Sequence, residues 1–334
     1  MPSWKSRAFA TAIGAVLVAG ASLPAASASG PREGSAPTRA ACDAFADYFQ
    51  VEYLIAFASA FAGFGDKKKA EDTAAEIRDT LHLILSPKLE QITRTLADGT
   101  NPVLRKLFVR QARGFARGVG LLERVGLTKA QIQKLSELDL KPETDIQQVV
   151  GDVNLDKGEL ERAVKEFASS TKSIDLNQAT SRQRRVFAAA GTACGVFPLG
   201  VECVNVVTTD EAAGVLGVPV TVKDEDGTCT YTGPADKTQD ASELAVDIYE
   251  SSLAFDRLTE SAQSQSQNVP GVGDAAIALE GFNAFSSTKT CGRTLIAKQR
   301  ERTVVVAVCT GDNPPSTEAL AVLATNVLAR SVEG

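Results

Sequence analysis

Two patterns of hydrophobic and polar positions divide the chain. From Cys42 to about Cys194 the apolar residues recur every three or four positions, which is typical of amphipathic helices. Beyond Cys203 several short runs alternate between apolar and polar residues, which is typical of strands. The patterns predict an α+β protein, with an all-α helical bundle over residues 41–198 and a small antiparallel α+β domain over 203–334. In that second domain we expect the helices to lie on one face of the sheet.

Proline, glycine and capping residues predict where the helices of the bundle begin and end. Thr128 is placed to cap one of them. The first helix starts near Cys42, and the others are predicted over residues 66–85, 87–97, 102–125, 128–138, 156–173 and 180–194. Aromatic residues at every fourth position of the first helix predict a ridge in the bundle core: Phe45, Phe49, Tyr53, Phe57 and Phe61.

The second half reads as alternating strands and helices. Asp226-Gly227 predicts the turn of a hairpin within residues 218–234. Further strands are predicted over 243–250, 274–281, 291–299 and 303–311, and helices over 208–217, 253–263 and 316–329. Leu320, Leu323 and Val327 share one face of the last helix.

The segment "GVGDAA" at residues 271–276 fits the dinucleotide-binding pattern G-x-G-x-x-G/A. That pattern binds a pyrophosphate only where it follows a strand and opens a helix. Here a helix end and a polar linker, "TESAQSQSQ", precede it, and a predicted strand follows. We therefore expect a folded corner, with Pro270-Gly271 in a type II turn and Gly273 at positive φ.

The amino terminus predicts export. Residues 1–28 combine the basic Lys5 and Arg7, an apolar run over 8–20 and a small-residue cleavage site that ends at Ala28. Residues 29–40 are rich in glycine, serine and proline and are predicted to be a disordered lead-in. We expect a secreted or extracytoplasmic protein that is soluble after cleavage and has no transmembrane segment in the mature chain.

Six cysteines in an exported chain indicate disulfide bonds, although six cysteines allow 15 pairings. The last two predicted strands turn near Arg300, which is nine residues from both Cys291 and Cys309. These two cysteines should therefore oppose each other across the ladder and form a disulfide. The other favoured pairs are Cys203–Cys229 and Cys42–Cys194.

Charge is unequally distributed between the halves. Residues 29–202 carry 24 basic and 23 acidic residues, whereas residues 203–334 carry 9 basic and 18 acidic ones, a net charge of −9. The second half should therefore have no general affinity for polyanions, and nucleic acid is not an expected partner.

Several short motifs connect residues 203–331 to a known family. These are "T-x-x-E-A-x-x-x-L-G" from residue 208, the strand "TCTYTG", "V-P-G-V-G-D-A-A", and "L-A-x-x-V-L" in the last helix. This half resembles an actinobacterial domain of unknown function that occurs in secreted and lipid-anchored envelope proteins. The resemblance implies an extracytoplasmic, non-catalytic domain, but the lipidated amino-terminal cysteine of that family is absent here.

No catalytic residue, metal site or cofactor site can be assigned from the sequence. The one histidine, His82, lies between leucines near a predicted helix end, which favours a partly buried structural role. Asp152, Asn154 and Asp156 have the spacing of a calcium loop, but its glycine is shifted and Ala163 replaces the final glutamate. Carboxylates are plentiful, so a hydrolase with paired acids remains an alternative.

The most specific candidate site is a basic stripe on the longest predicted helix. Its members are Lys106, Arg110, Arg113, Arg117 and Arg124. At 100° per residue they fall within about 40° of one line and extend over about 27 Å. Apolar residues occupy the opposite side, and Gly114 and Gly118 flank the stripe, where they would allow another helix to approach closely.

The stripe has two interpretations. It is either a solvated face, paired with acidic residues near 69–79 or in the second domain, or a surface that binds an anionic envelope polymer, lipid headgroups or a protein. We expect an exported, non-catalytic binding or accessory protein of the cell envelope or extracellular space, of unknown oligomeric state. The alternatives are a carboxylate-dependent hydrolase and a purely structural module.

Overall fold

The computed structural model describes residues 36–61, 67–138, 157–171, 179–225, 227–234, 241–260, 266–280, 291–309 and 314–333. The chain divides into two compact units between residues 187 and 188. The first unit is helical, and the second contains a seven-stranded antiparallel sheet, which confirms the α+β class. The predicted signal sequence and the start of the lead-in lie outside the described residues.

Seven helices are described up to the end of the predicted bundle. They are α1 Arg39–Phe61, α2 Lys67–Ile84, α3 Ser86–Gly99, α4 Pro102–Arg124, α5 Lys129–Ser136, α6 Lys157–Thr171 and α7 Ser181–Ala193. Helix α1 begins before the predicted Cys42, because the Thr38 hydroxyl accepts a hydrogen bond from the Ala41 amide and caps the helix. Residues 39 and 40 are therefore helical rather than part of a lead-in.

Capping residues define the starts of three further helices, α4, α5 and α7, near the positions that the sequence predicted. The Thr128 hydroxyl accepts from the Gln131 amide, and the Gln131 side chain accepts from the Thr128 amide. This reciprocal pair is a capping box, and the same arrangement joins Thr180 to Gln183 at the start of α7. Helix α4 is capped by Asn101, whose side chain accepts from the amides of Val103 and Leu104.

Aromatic side chains form the centre of the bundle. Phe45 is fully buried, and its ring lies 5.9 Å from Phe108 and 5.1 Å from Phe187. Phe49 stacks one turn further along α1, 6.4 Å from Phe45. This confirms the predicted ridge at Phe45 and Phe49, while the side chains of Tyr53, Phe57 and Phe61 are not among those described.

Gly118 allows helices to approach α4 closely, as predicted. A Cβ atom at this position would lie 2.2 Å from the Ser86 hydroxyl oxygen of α3 and 2.8 Å from the Phe167 ring of α6. Only a glycine leaves room for both neighbours, and Gly114 is buried on the same side of the helix. These contacts hold one side of α4 against the bundle and leave the other side exposed.

The second unit contains four more described helices and all seven strands of the sheet. The helices are α8 Cys203–Val206, α9 Thr209–Leu216, α10 Ser252–Glu260 and α11 Thr317–Glu333. The strands are β1 Thr221–Glu225, β2 Thr228–Thr232, β3 Glu243–Tyr249, β4 Ser266–Asn268, β5 Ala275–Glu280, β6 Arg293–Gln299 and β7 Arg302–Cys309. The sheet order is β1-β2-β3-β7-β6-β5-β4, and every pair is antiparallel.

Helices cover both faces of this sheet. Leu320, Leu323 and Val327 of α11 pack with Val246 and other residues that point to one face. Helix α10 packs with Ala245, Tyr249 and other residues that point to the opposite face. The sequence pattern predicted helices on one face only, whereas α10 covers the second face as well.

The hairpin of β6 and β7 confirms the disulfide between Cys291 and Cys309 but corrects its register. Gln299 pairs with Arg302, so the turn is centred between residues 300 and 301, with Arg300 at a φ of 55°. Cys291 therefore precedes the strand rather than opposing Cys309 in the ladder. The prediction of directly opposed partners was wrong, because it centred the turn on Arg300 itself.

The remaining cysteines are oxidised as well. Cys203 and Cys229 form a disulfide, as predicted, that joins α8 to the first hairpin. Cys42 and Cys194 each take part in a disulfide, and none of the six cysteines is free. The chain therefore has three disulfides, as the even cysteine count indicated.

An ion pair fastens α9 to α11. The Arg330 guanidinium donates to both carboxylate oxygens of Glu211, over 2.7 and 2.6 Å, and to the Val206 carbonyl over 2.8 Å. Glu211 also caps α9 through a capping box with Thr208. Hydrogen bonds from Arg330 lower the pKa of Glu211 to about 2, although partial burial opposes the shift.

Tyr231 makes a second connection in this region, between strand β2 and helix α8. Its ring is fully buried in the sheet, and its hydroxyl oxygen lies 2.9 Å from the Cys203 carbonyl oxygen and 2.8 Å from that of Val207. Burial raises the pKa of Tyr231 to about 12. The neutral phenol therefore has one proton to share between these two carbonyl oxygens, and the Cys203 carbonyl also accepts from the Val207 amide.

Candidate functional site

The basic residues predicted to form a stripe lie on the exposed side of α4. Lys106, Arg110, Arg113, Arg117 and Arg124 are all exposed. Because α4 is one uninterrupted helix, their side chains project along a single line, as the helical period requires. The structure therefore brings together all five residues that the sequence singled out, and we call them the basic line.

The opposite side of α4 is fixed in the bundle. Leu104, Phe108, Phe115 and Leu122 are buried, and Val119 is partly buried. Asn101 caps the first turn and Gly118 permits the close contacts with α3 and α6. The helix is thus held as a rigid support, and binding to the basic line would require ordering of side chains but not of backbone.

The five cations differ in their pairing. Arg124 donates to the Glu166 carboxylate of α6 over 2.7 Å, in an ion pair where both side chains are more than half exposed. In the part of the chain that the structure describes, Lys106, Arg110, Arg113 and Arg117 form no ion pair. Among the described residues, four cations of the basic line therefore have no anionic partner, and the fifth is partly neutralised.

Sequence inspection missed one cation and a strip of short side chains beside the line. Arg105 is also exposed, about 100° around the helix from Lys106. Between them in angle lie Val109, Ala116 and Gly120, which are only partly buried. A Cβ atom at Gly120 would meet no atom within 4 Å. We call these three residues the shelf, because they form a low surface along one edge of the basic line.

His82 has a structural environment, as expected. Its Nε2 atom lies 3.2 Å from the Glu52 carboxylate of α1, and its Nδ1 atom lies 3.0 Å from the Arg78 carbonyl oxygen. Both ring nitrogens therefore face acceptors, which favours the imidazolium. Burial lowers the pKa of His82, but Glu52 and the carbonyl outweigh it, so the net pKa is raised above 6.5.

The "GVGDAA" loop joins two strands of the sheet. It connects β4 to β5, and Gly271 and Gly273 have φ values of 83° and 55°, as predicted for a corner. A Cβ atom at Gly273 would lie 2.3 Å from the Lys298 carbonyl oxygen. The Asp274 carboxylate accepts from the Arg300 amide over 2.6 Å. The loop therefore braces the tip of the β6–β7 hairpin. The last two residues of the polar linker expected before it, Ser266 and Gln267, belong instead to the edge strand β4, and residues 261–265 lie outside the described part of the chain.

A polar cleft lies at this edge of the sheet, between β4, β5, β6 and the start of α11. It is lined by Ser266, Gln267, Ala278, Glu280, Arg293 and Thr317. Its one carboxylate, Glu280, is paired with Arg293 over 3.2 Å. A hydrolase of the paired-acid type needs two carboxylates roughly 5–10 Å apart, and Glu280 is the one carboxylate among the described residues that line this cleft.

The structure also bears on the hypotheses of a metal site and of a membrane-spanning helix. Among the described residues, no cluster of three or more histidine, cysteine, aspartate or glutamate side chains has a geometry that could hold a metal ion. The calcium-like residues Asp152, Asn154 and Asp156 lie outside the described residues. No described helix is both long and apolar enough to cross a membrane.

Comparison with known proteins returned no match: no family model, no curated protein and no solved structure is similar to this chain.

Proposed function

We propose that this chain is an exported, non-catalytic binding or accessory protein of the cell envelope or extracellular space, and that the basic line is its binding surface. The proposal rests on the exposure and the pairing of four cations, Lys106, Arg110, Arg113 and Arg117. All four are exposed on a fixed helix, and none has an anionic partner among the described residues. A surface of this kind attracts anions by long-range electrostatics.

Other features support an extracytoplasmic location. Three disulfides are typical of proteins that fold in an oxidising compartment. The predicted signal sequence and the resemblance of residues 203–331 to an envelope domain agree with that location. We infer that the second unit is an accessory module and that ligand binding belongs to the bundle.

A fractionation experiment tests the proposal. The full chain is expressed in a Gram-positive host, and its distribution among cytoplasm, envelope and medium is measured, together with that of Arg113→Glu/Arg117→Glu. The control is Lys129→Glu/Lys134→Glu, which makes the same charge change at exposed sites of α5. We expect the wild type and the control to stay with the envelope until salt releases them, and the α4 variant to appear in the medium.

Two results would contradict the proposal. The first is equal envelope retention of a folded α4 variant, which would favour the purely structural module. The second is retention of the wild type in the cytoplasm with its signal sequence uncleaved, which would remove the export hypothesis. Circular dichroism of each purified variant confirms that the fold is intact.

A further inference from the structure

The geometry points to a linear polyanion as the ligand of the basic line: a polymer with a carboxylate or phosphate on successive repeat units, lying along the axis of α4. This inference rests on the proposed function, because it names the chemical class of the anion that the basic line would take. It commits to a flexible chain of charges rather than to a membrane surface or a folded protein.

The first argument is the arrangement of charge in one dimension. From Lys106 to Arg117 the successive cations rise by about 6, 4.5 and 6 Å along the helix axis, at 1.5 Å per residue. They stay within about 40° of one line around the helix. A row of nearly regularly spaced charges confined to one strip of the helix surface matches a ligand whose own charges repeat along a chain.

The second argument is the chemistry of the row. Three of the four available cations are arginines, whose planar guanidinium groups donate two parallel hydrogen bonds to a carboxylate or phosphate. No acidic residue interrupts α4 before Glu123, so the charges that α4 itself carries keep one sign along the row. A polymer could therefore bind in several registers, with each anionic group meeting a cation.

The third argument is the shelf beside the row. Val109, Ala116 and Gly120 leave a low strip, whereas the other edge of the row is closed by buried residues such as Gly114 and Leu121. A polymer backbone can lie on the shelf while the longer arginine side chains reach its charged groups. The row is thus one wall of an open, shallow track along α4.

The surroundings disfavour the two other partner classes. The core of a protein interface is apolar, and peripheral membrane binding usually adds apolar side chains to a basic surface. Among the described residues the large hydrophobic side chains classed as exposed are Val204 and Val322, and both belong to the second unit. The described part of the bundle therefore offers charge without an exposed large apolar side chain beside it.

The test measures binding of the full chain to four probes by isothermal titration calorimetry or sedimentation. The probes are linear polyphosphate, polygalacturonate, their monomers at equal total charge, and vesicles that contain phosphatidylglycerol. We expect both polymers to bind far more tightly than the monomers, and the tighter polymer identifies the preferred anionic group. By analogy with single-stranded nucleic acid, four neutralised charges give a slope of log K against log salt of about −3.

Two pairs of matched variants locate the site. Arg113→Gln/Arg117→Gln should weaken polymer binding about tenfold and halve the salt slope, while Lys129→Gln/Lys134→Gln should have little effect. Gly120→Leu places a larger side chain on the shelf without changing charge, and it should weaken binding relative to Gly120→Ala, whose methyl group meets no atom within 4 Å. The Gly120 pair separates a polymer that lies on the shelf from attraction to charge alone.

Each outcome has a defined consequence. Binding of vesicles but not of polymers would overturn this inference and leave the anion-binding function in place. Equal polymer affinity of the α4 and α5 variants, or equal affinity for monomers and polymers, would also overturn it. If no anionic probe binds the folded protein, the proposed function falls together with the inference.

Discussion

Two glycines on α4 are expected to respond in opposite ways to the same substitution. Both Gly118 and Gly120 lie within the helix, where alanine is intrinsically more favourable than glycine by about 0.8–1.0 kcal/mol. At Gly120 a new methyl group would meet no atom within 4 Å. Gly120→Ala should therefore raise the free energy of unfolding of the bundle by about 0.5–1 kcal/mol.

At Gly118 the same methyl group would overlap two neighbours. It would lie 2.2 Å from the Ser86 hydroxyl oxygen and 2.8 Å from the Phe167 ring. Ser86 is fully buried, and its hydroxyl donates to the His82 carbonyl, so it cannot move aside without losing that bond. Overpacking costs about 1–3 kcal/mol, and we expect the upper end here, for a net loss of about 2 kcal/mol.

Urea unfolding followed by far-UV circular dichroism measures both effects. The two variants should differ by about 3 kcal/mol, as a shift in midpoint at constant m. Adding Ser86→Ala to Gly118→Ala removes the closest contact and should recover part of the loss. If Gly118→Ala is as stable as Gly120→Ala, the close packing of α3 and α6 against Gly118 is refuted.

Three further substitutions test other parts of the structure. The raised pKa of His82 means that its pair with Glu52 stabilises the bundle below about pH 6.5 and less as pH rises through the folded pKa, so the loss on His82→Gln should be larger at about pH 5.5 than at about pH 9. Equal losses at both pH values would exclude an imidazolium. Arg330→Gln should cost about 1–2 kcal/mol near neutral pH, since the pair is partly exposed, and its effect should shrink as pH falls from 4.5 toward 2, where Glu211 protonates and only the hydrogen bond to the Val206 carbonyl remains to be lost. A loss independent of pH in chemical denaturation would contradict this assignment. Tyr231→Phe should cost about 1–3 kcal/mol, because it removes the hydroxyl donor of the Val207 carbonyl, whereas the Cys203 carbonyl still accepts from the Val207 amide, and an unchanged melting temperature would argue against that role.

Much of the secondary structure could be predicted because its signals are local. Thr128 with Gln131 and Thr208 with Glu211 are capping boxes that a short stretch of sequence reveals, and both are present. Gly227, at a φ of 89°, follows the same logic in the first hairpin. Such features depend on residues close in the chain, so helix ends and the hairpin lie within a few residues of their predicted positions.

Strand β4 was missed because an exposed edge strand carries no hydrophobic signal. Its three residues, Ser266–Asn268, are polar and exposed, and they belong to the sheet only through backbone pairing with β5. The second helical layer, in contrast, had a signal that was overlooked. The run "TVVVAV" of β7 is continuously apolar, as expected for a strand buried on both faces, and α10 covers the second face.

The basic line shows which features of a candidate binding surface one sequence can predict and which it cannot. Its alignment depends only on the helical period, so the sequence alone suffices to place Lys106 to Arg124 on one side of α4. Which of those cations is available depends on contacts between distant residues. Glu166 lies 42 residues from Arg124 and partly neutralises it, and no periodicity in either segment relates the two. The shelf likewise exists because Gly118 faces the bundle and Gly120 faces outward. Tertiary packing therefore decides which residues of the sequence pattern belong to the candidate binding surface.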